Sequence, residues 1–407
     1  MARTTKRIGI LTGGGDCPGL NPAIKWVVNT ALDERTGSTK KVRFEVLGIR
    51  EGWRGLSDIF IASAEDCKKY TVALNEDVVR TWDRFGGTML GTSRTNPFDP
   101  GNDRSEQLLY NLQHLNIDYL VAIGGEDTLG VAHTLNQMGI KVIGIPKTID
   151  NDLMGTDYSL GFESAVQIIT EEIDRLRTTA GSHKRIFVVE TMGRHSGWLA
   201  LEGGEASGAY IILIPEYDFE VERIKELVEE GVERGHRYAI IVVAEGAKPK
   251  GSDLFVRSSQ IDGFGHVALG GIGEFLACKI EKDTGLETRS VVLSHLQRGG
   301  TPTSYDRRMG RYFAIAAVDL ILKEDFDRMV SYQKGIISSV PLKEAVGKTK
   351  KVNIKRYYDT KLYNGTRTML LDHLGQNGGG NNTLNKLTYS IINGNEKRKS
   401  SFWGFFR

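Results

Sequence analysis

The chain has 407 residues, is 40% hydrophobic and 26% charged, and carries a net charge of +2. That is long enough for two domains of ordinary size, and no global field argues for nucleic acid. Cys17, Cys67 and Cys278 are too far apart for a disulfide framework or a metal motif, which points to a reducing compartment and a cytoplasmic protein. No apolar run approaches the length of a membrane span.

Short runs rich in Val and Ile predict strands at Arg7–Thr12, Arg43–Gly48, Tyr119–Ile123, Val142–Ile145, Arg185–Glu190, Tyr210–Ile214, Tyr238–Ala244 and Arg289–Leu293. Amphipathic stretches between them predict helices, among them Asn21–Leu32, Gly161–Arg177, Val221–Arg234, His266–Lys282 and Ser304–Lys323. In the third, Val221, Ile224, Leu227 and Val228 form the apolar stripe. Strands apolar on both faces and alternating with helices mean mostly parallel sheets covered on both sides. The number of units favours two Rossmann-like three-layer α/β domains, whose ligands belong at the carboxyl ends of strands. Beyond them, Gly375–Asn382 reads GQNGGGNN and the end reads KRKSSFWGFFR. That basic-aromatic tip suits a frayed terminus, a segment docked on its own domain, or a contact with membranes or acidic partners.

The motifs fall at strand ends. Gly13–Gly19, GGGDCPG, follows the first strand and fits phosphate cradling. Asp16 within it suits a helix cap or a turn brace better than a phosphate contact. Gly86–Arg94, GGTMLGTSR, is a second glycine-rich turn and ends in an arginine. Gly124–Thr128, GGEDT, and Pro146–Asp152, PKTIDND, end two adjacent strands and bring Glu126, Asp127, Asp150 and Asp152 together around Lys147. Crowded carboxylates call for a cation, and hydrated Mg²⁺ on a polyphosphate meets that need. One carboxylate left over can act as a general base. Arg185, Arg194, Arg289 and Arg298 flank strands and together favour a phosphorylated substrate. His295 fits either a ligand contact or a satisfied core histidine. Glu245 fits either a sugar-hydroxyl acceptor or a loop glutamate without a role.

In this order, GGGDCPGLN, GGTMLGTSR, GGEDT, PKTIDND, TMGRHSGW and SHLQRGGTPTSYDR resemble the A-class 6-phosphofructokinases, over roughly residues 5–325. The resemblance implies two domains with the active site in the cleft between them. A donor domain would span residues 1–160 plus about 296–325, and a fructose 6-phosphate domain residues 161–295. Residues 326–407 would form a C-terminal extension. It implies Asp150 as the base for the C1 hydroxyl, with Thr148 and Asp152 shaping the pocket. Met192, Gly193, Arg194, Glu245, His295, Leu296, Gln297 and Arg298 would hold the sugar phosphate. Arg185 and Arg289 would reach the substrate of a neighbouring subunit, so a homodimer or homotetramer is implied. Gly14 and Arg94 would contact the donor, and Glu126 would help bind Mg²⁺. Many relatives have aspartate at that last position, and the longer glutamate points to contact through water.

Members that use ATP typically have glycine where this chain has Asp127. Pyrophosphate users resemble this chain, with aspartate there and lysine at Lys147, although some ATP users share the lysine. A carboxylate at Asp127 would repel the α-phosphate of a nucleotide, and Lys147 can neutralise a transferring phosphoryl group. The expected activity is reversible, Mg-dependent transfer from pyrophosphate to C1 of fructose 6-phosphate. The alternatives are an ATP-dependent phosphofructokinase and a non-catalytic sugar-phosphate-binding subunit. A dinucleotide dehydrogenase lacks its GxGxxG fingerprint here.

Overall fold

The computed structural model describes residues 4–36, 42–261, 264 and 267–366. The Gly/Asn-rich stretch and the basic-aromatic tip lie outside them. Residues up to Gly365 form one compact unit built on two sheets.

The strands of the first sheet are β1 (Thr4–Thr12), β2 (Val42–Ile49), β3 (Thr71–Leu74), β4 (Tyr119–Gly124), β5 (Val142–Pro146), β12 (Arg328–Gln333) and β13 (Ile336–Pro341). Those of the second are β6 (Ile186–Thr191), β7 (Ile211–Leu213), β8 (Ala239–Ala244) and β11 (Thr288–Val292). A separate antiparallel pair is formed by β9 (Val256–Ile261) and β10 (Val267–Leu269). The longer helices are α1 (Leu20–Leu32), α2 (Ser105–His114), α3 (Glu126–Gln137), α4 (Phe162–His183), α5 (Trp198–Ala206), α6 (Val221–Glu233), α7 (Ile272–Thr284) and α8 (Ser304–Lys323).

The first sheet has the order β13-β12-β5-β4-β1-β2-β3. It is parallel from β2 through β12, with antiparallel strands at both edges. The second, β11-β6-β8-β7, is parallel throughout. Every residue of β4, β5, β6 and β8 is buried, as expected of central strands covered on both faces. Strand order reverses at β1, whose neighbours are β2 and β4. That reversal opens a crevice at the carboxyl ends of β1, β4 and β5.

All eight predicted strands are present, seven within one residue of their expected limits and β1 starting three residues earlier, at Thr4. In α6 the buried stripe is Ile224, Leu227, Val228 and Gly231, with Val221 only half-buried. Two expectations need correction. The helix expected from His266 starts at Ile272, after strand β10. Gly270 and Gly271 intervene at φ 141° and 104°, a backbone that does not continue a helix. The stretch from residue 326, set apart as an extension, adds β12 and β13 to the first sheet. Farther along it, Tyr358 donates to the Ile212 carbonyl at 2.6 Å and packs on the second sheet.

Candidate active site

The carboxyl ends of β1, β4 and β5 face those of β6 and β8 across a cavity of about 190 Å³. Gly14, Gly15, Arg94, Glu126, Asp127, Lys147, Thr148, Asp150 and Asp152 line one side, and Met192, Arg194, His195, Glu245 and Arg298 the other. A second hollow of about 320 Å³ shares Met192 and Glu245 as walls and continues to Glu190, Gly271 and Ser294.

The glycine-rich turn after β1 is shaped to hold a lysine. The Lys147 ammonium donates to the carbonyls of Gly13 at 2.9 Å and Gly15 at 2.5 Å. The amides of Gly13 and Gly14 are bonded to the Ile123 and Ser93 carbonyls. Gly14 lies at φ 76°, and the Arg298 guanidinium fills the space a Cβ on Gly15 would need. Arg298 also donates to the Asp16 carbonyl at 3.1 Å. Asp16 does not cap α1, which starts after Gly19 without a side-chain cap. The two glycine-rich turns meet, since Thr92 Oγ1 donates to the Gly14 carbonyl at 2.6 Å. Lys147 is buried, and burial pushes its ammonium down to about 8, reinforced by Arg298 and Arg94.

The turn after β5 is built on Asn151, at φ 50°, a left-handed conformation that asparagine tolerates well. Its Nδ2 donates to the Asp157 carbonyl at 3.1 Å, and its Oδ1 accepts from the Ser159 amide at 3.1 Å. The lock leaves Asp150 and Asp152 on the cavity side. Burial raises the Asp150 carboxyl, opposed by Arg298 and Arg194. Burial and then the Asp150 charge raise Asp152. Burial, then Asp150, push Glu245 up to about 7. Asp150 Oδ1, Arg298 Nε and Thr191 Oγ1 are buried without a protein partner. Unpaired buried polar atoms of this kind are rare in folded proteins and fit a site that binds a polar ligand.

The remaining expected residues lie elsewhere. Gly193, at φ 128°, holds the turn, and its carbonyl accepts from the Gly246 amide. Gln297 is fully buried and accepts from the Met192 amide at 3.3 Å, so it supports the wall. His295 is exposed and bonded to Ser294, and Leu296 is 61% exposed. Neither lines the cavity, and His295 is not a core histidine. Arg185 and Arg289 sit at the amino ends of β6 and β11, away from the cavity, paired with Glu287 at 2.7 and 2.6 Å. Among the cavity residues without an expected role are His195 and Thr349. His195 stands inside a quoted motif and was passed over, whereas Thr349 lies beyond every motif.

The four carboxylates share one cavity, yet among the described residues no three acidic, histidine or cysteine side chains converge closely enough to hold a metal by themselves. Mg²⁺ characteristically takes one or two carboxylates and completes its shell with water and substrate phosphate. The donor set at this cavity fits that mode of binding. No helix among the described residues is long and apolar enough to cross a membrane.

The phosphofructokinase family model matches residues 7–321. Pyrophosphate–fructose 6-phosphate 1-phosphotransferase of Amycolatopsis methanolica is 48% identical over 88% of this chain and 100% of its own length. ATP-dependent 6-phosphofructokinase of Mycobacterium leprae is 43% identical over the same shares. Among solved structures, the pyrophosphate-dependent phosphofructokinase of Marinobacter aquaeolei superposes with a TM-score of 0.72 at 23% identity, covering 92% of each chain. That of Saccharomyces cerevisiae phosphofructokinase gives 0.69 at 30% identity, over 84% of this chain and 45% of its own. The chain belongs to the phosphofructokinase family.

Proposed function

We propose that the protein transfers a phosphoryl group from pyrophosphate to C1 of fructose 6-phosphate, giving fructose 1,6-bisphosphate and phosphate. The carrying observation is that one cavity joins Asp150, Lys147 and Asp127 with the arginines Arg94, Arg194 and Arg298. Phosphoryl transfer needs little covalent chemistry from the protein. It needs the donor and acceptor held in line and the charge on the transferring group neutralised.

Asp150 takes the proton of the C1 hydroxyl. The raised affinity of its carboxyl for a proton suits that role, with burial raising it and Arg298 and Arg194 opposing the rise. Lys147, fixed by two carbonyls, supplies positive charge to the phosphoryl group or the leaving phosphate. Glu126 would help hold Mg²⁺, which when bound would supply positive charge to the donor phosphates. Asp127 lies in the first turn of α3 and sets a negative charge against any donor longer than pyrophosphate. Phosphate–phosphate and sugar–phosphate bonds of this kind are similar in energy, so the reaction runs both ways.

The half built on the first sheet, β12 and β13 included, would bind the donor, and the half built on the second the sugar phosphate. Thr148, Met192, Gly193, Arg194, Glu245 and Arg298 would hold fructose 6-phosphate. Arg185 and Arg289 would reach the sugar phosphate of an adjacent subunit in a cytoplasmic homodimer or homotetramer. Replacing Asp150 with serine tests the central role. Turnover should fall by about 10²–10⁴ while pyrophosphate binding is retained, and near-normal turnover would remove Asp150 from the mechanism.

A further inference from the structure

The segment Val346–Val352 belongs to neither sheet, yet it is tied to both walls of the cleft. On the first-sheet side the Gly347 amide donates to Glu126 Oε1 at 2.8 Å. The Lys350 amide donates to the Asp152 carbonyl at 2.6 Å, and Thr349 pairs with Leu153 in an isolated antiparallel bridge. The Lys350 ammonium donates to the Thr156 carbonyl at 2.9 Å, on the loop that follows the Asp150–Asp152 turn. On the other side, Trp198 Nε1 donates to the Lys350 carbonyl at 3.2 Å. The Val352 amide donates to Glu216 Oε1 at 2.8 Å, and Glu216 also accepts from the Gly197 amide ahead of α5. Thr349 lines the cavity itself.

We infer that Gly347–Lys350 is a strap belonging to the phosphoryl-donor site, which orients the Glu126 carboxylate through the Gly347 amide, places Thr349 against the donor, and is braced by Lys350. This rests on the donor reading above. A glutamate has one more rotatable bond than an aspartate, so its carboxylate needs a restraint before it can hold a cation at a fixed place. The amide bond to one oxygen supplies that restraint on a side chain that lines the cavity. Gly347 has φ 77° with open space where a Cβ would lie. The glycine is therefore needed for the backbone path that aims its N–H, not for room. Lys350 is surrounded by the charges of Asp157, Asp152 and Glu202, which oppose the effect of its burial. It is thereby held on the catalytic turn as well as on the strap. Gly347 and Lys350 are positioning residues, since only Thr349 reaches the cavity.

The test uses Lys350→Met and Thr349→Val in the full chain, with kinetics on both substrates and calorimetric titration of pyrophosphate in the presence of Mg²⁺. Loss of one charge-assisted hydrogen bond corresponds to about tenfold. Lys350→Met should therefore raise the donor KM and the calorimetric Kd by about that factor, with the KM for fructose 6-phosphate within about twofold of wild type. The Lys350→Met effect should also shrink in a Glu126→Asp background, where the carboxylate no longer reaches Gly347. Thr349→Val keeps the shape of the side chain and decides the matter if Lys350→Met does not fold. Unchanged donor binding in a folded variant, or an equal rise in both KM values, would make the strap a purely structural brace and overturn the inference. If the wild type turns over ATP and not pyrophosphate, the donor reading fails, and the strap is scored with ATP as the probe. If it turns over neither, Mg²⁺-dependent pyrophosphate binding alone decides.

Discussion

Replacing Asp127 with glycine should shift donor preference toward ATP. Asp127 lies in the first turn of α3 beside Glu126 and lines the cavity. Two unit charges about 4 Å apart interact by about 4 kcal/mol at an effective dielectric of 20 and about 1 kcal/mol in bulk water. Asp127 is only partly buried, and Mg²⁺ accompanies the nucleotide, so the lower half of that range applies. A penalty of about 1–2 kcal/mol corresponds to about 5–30-fold in kcat/KM for ATP. The cost to the fold is small. An acidic residue in a first turn contributes about 0.3–1 kcal/mol through the helix dipole, and glycine adds a propensity cost of a few tenths. The assay couples fructose 1,6-bisphosphate formation to a chromogenic or nicotinamide readout and compares kcat/KM for Mg-ATP and Mg-pyrophosphate in wild type and variant. A folded Asp127→Gly enzyme whose ATP-to-pyrophosphate ratio stays within twofold of wild type would refute the electrostatic account of donor choice.

Lys147, pushed down to about 8, should give kcat/KM for pyrophosphate a basic limb as the free enzyme loses that proton; Lys147→Arg should lack it, because guanidinium does not titrate there. A limb that persists in Lys147→Arg assigns it to another group. Burial pushes both Glu245 and Glu202 up to about 7. A carboxyl raised above its unfolded value contributes stability that is complete below the unfolded pKa, about 4.3, and is lost as pH rises through about 7. The ligand-free protein should therefore melt at a higher temperature near pH 5 than near pH 8, and Glu245→Gln should narrow that gap; scanning calorimetry that finds the gap unchanged would contradict the assignment. Asp306 accepts bonds from Tyr158, from the Gly161 and Ser164 amides and from the Ser164 hydroxyl, locking the start of α4 to α8. Asp306→Ala strands those buried donors and should cost about 3 kcal/mol or more in urea unfolding, and a loss under about 1 kcal/mol is incompatible with that role.

Much of the fold was legible because its central strands are buried on both faces. Runs such as Tyr119–Gly124 and Ala239–Ala244 contain almost nothing but apolar residues. Helix α8 runs from Ser304 to Lys323 as read, since Thr303 caps it with a hydrogen bond from the Asp306 amide. Strands β12 and β13 were missed because RMVSYQ and IISSVP mix polar and apolar residues, β13 at the sheet edge and β12 beside it. The start of α7 was misplaced because the break at Gly270–Gly271 was overlooked in favour of the apolar period.

At the site, the motifs marked the strand ends correctly where a residue follows its strand. Arg185 precedes β6 and Arg289 is the second residue of β11, so both lie at amino ends. The direction of a parallel strand was enough to tell these two arginines from Arg194 and Arg298. Gly13–Gly19 was read as a phosphate cradle, and the structure shows the Gly13 and Gly15 carbonyls of that turn holding Lys147. Periodicity says nothing about whether a turn offers amides or carbonyls. The strap was invisible for a different reason. VGKTK has no period, and its partner Glu126 is 221 residues away.

The central claim is the choice of donor. The most direct measurement is kcat/KM for Mg-pyrophosphate against Mg-ATP with the purified wild-type protein at saturating fructose 6-phosphate. The account predicts the higher value with pyrophosphate, and phosphate-dependent conversion of fructose 1,6-bisphosphate to fructose 6-phosphate and pyrophosphate in the reverse direction. A higher value with ATP would contradict it.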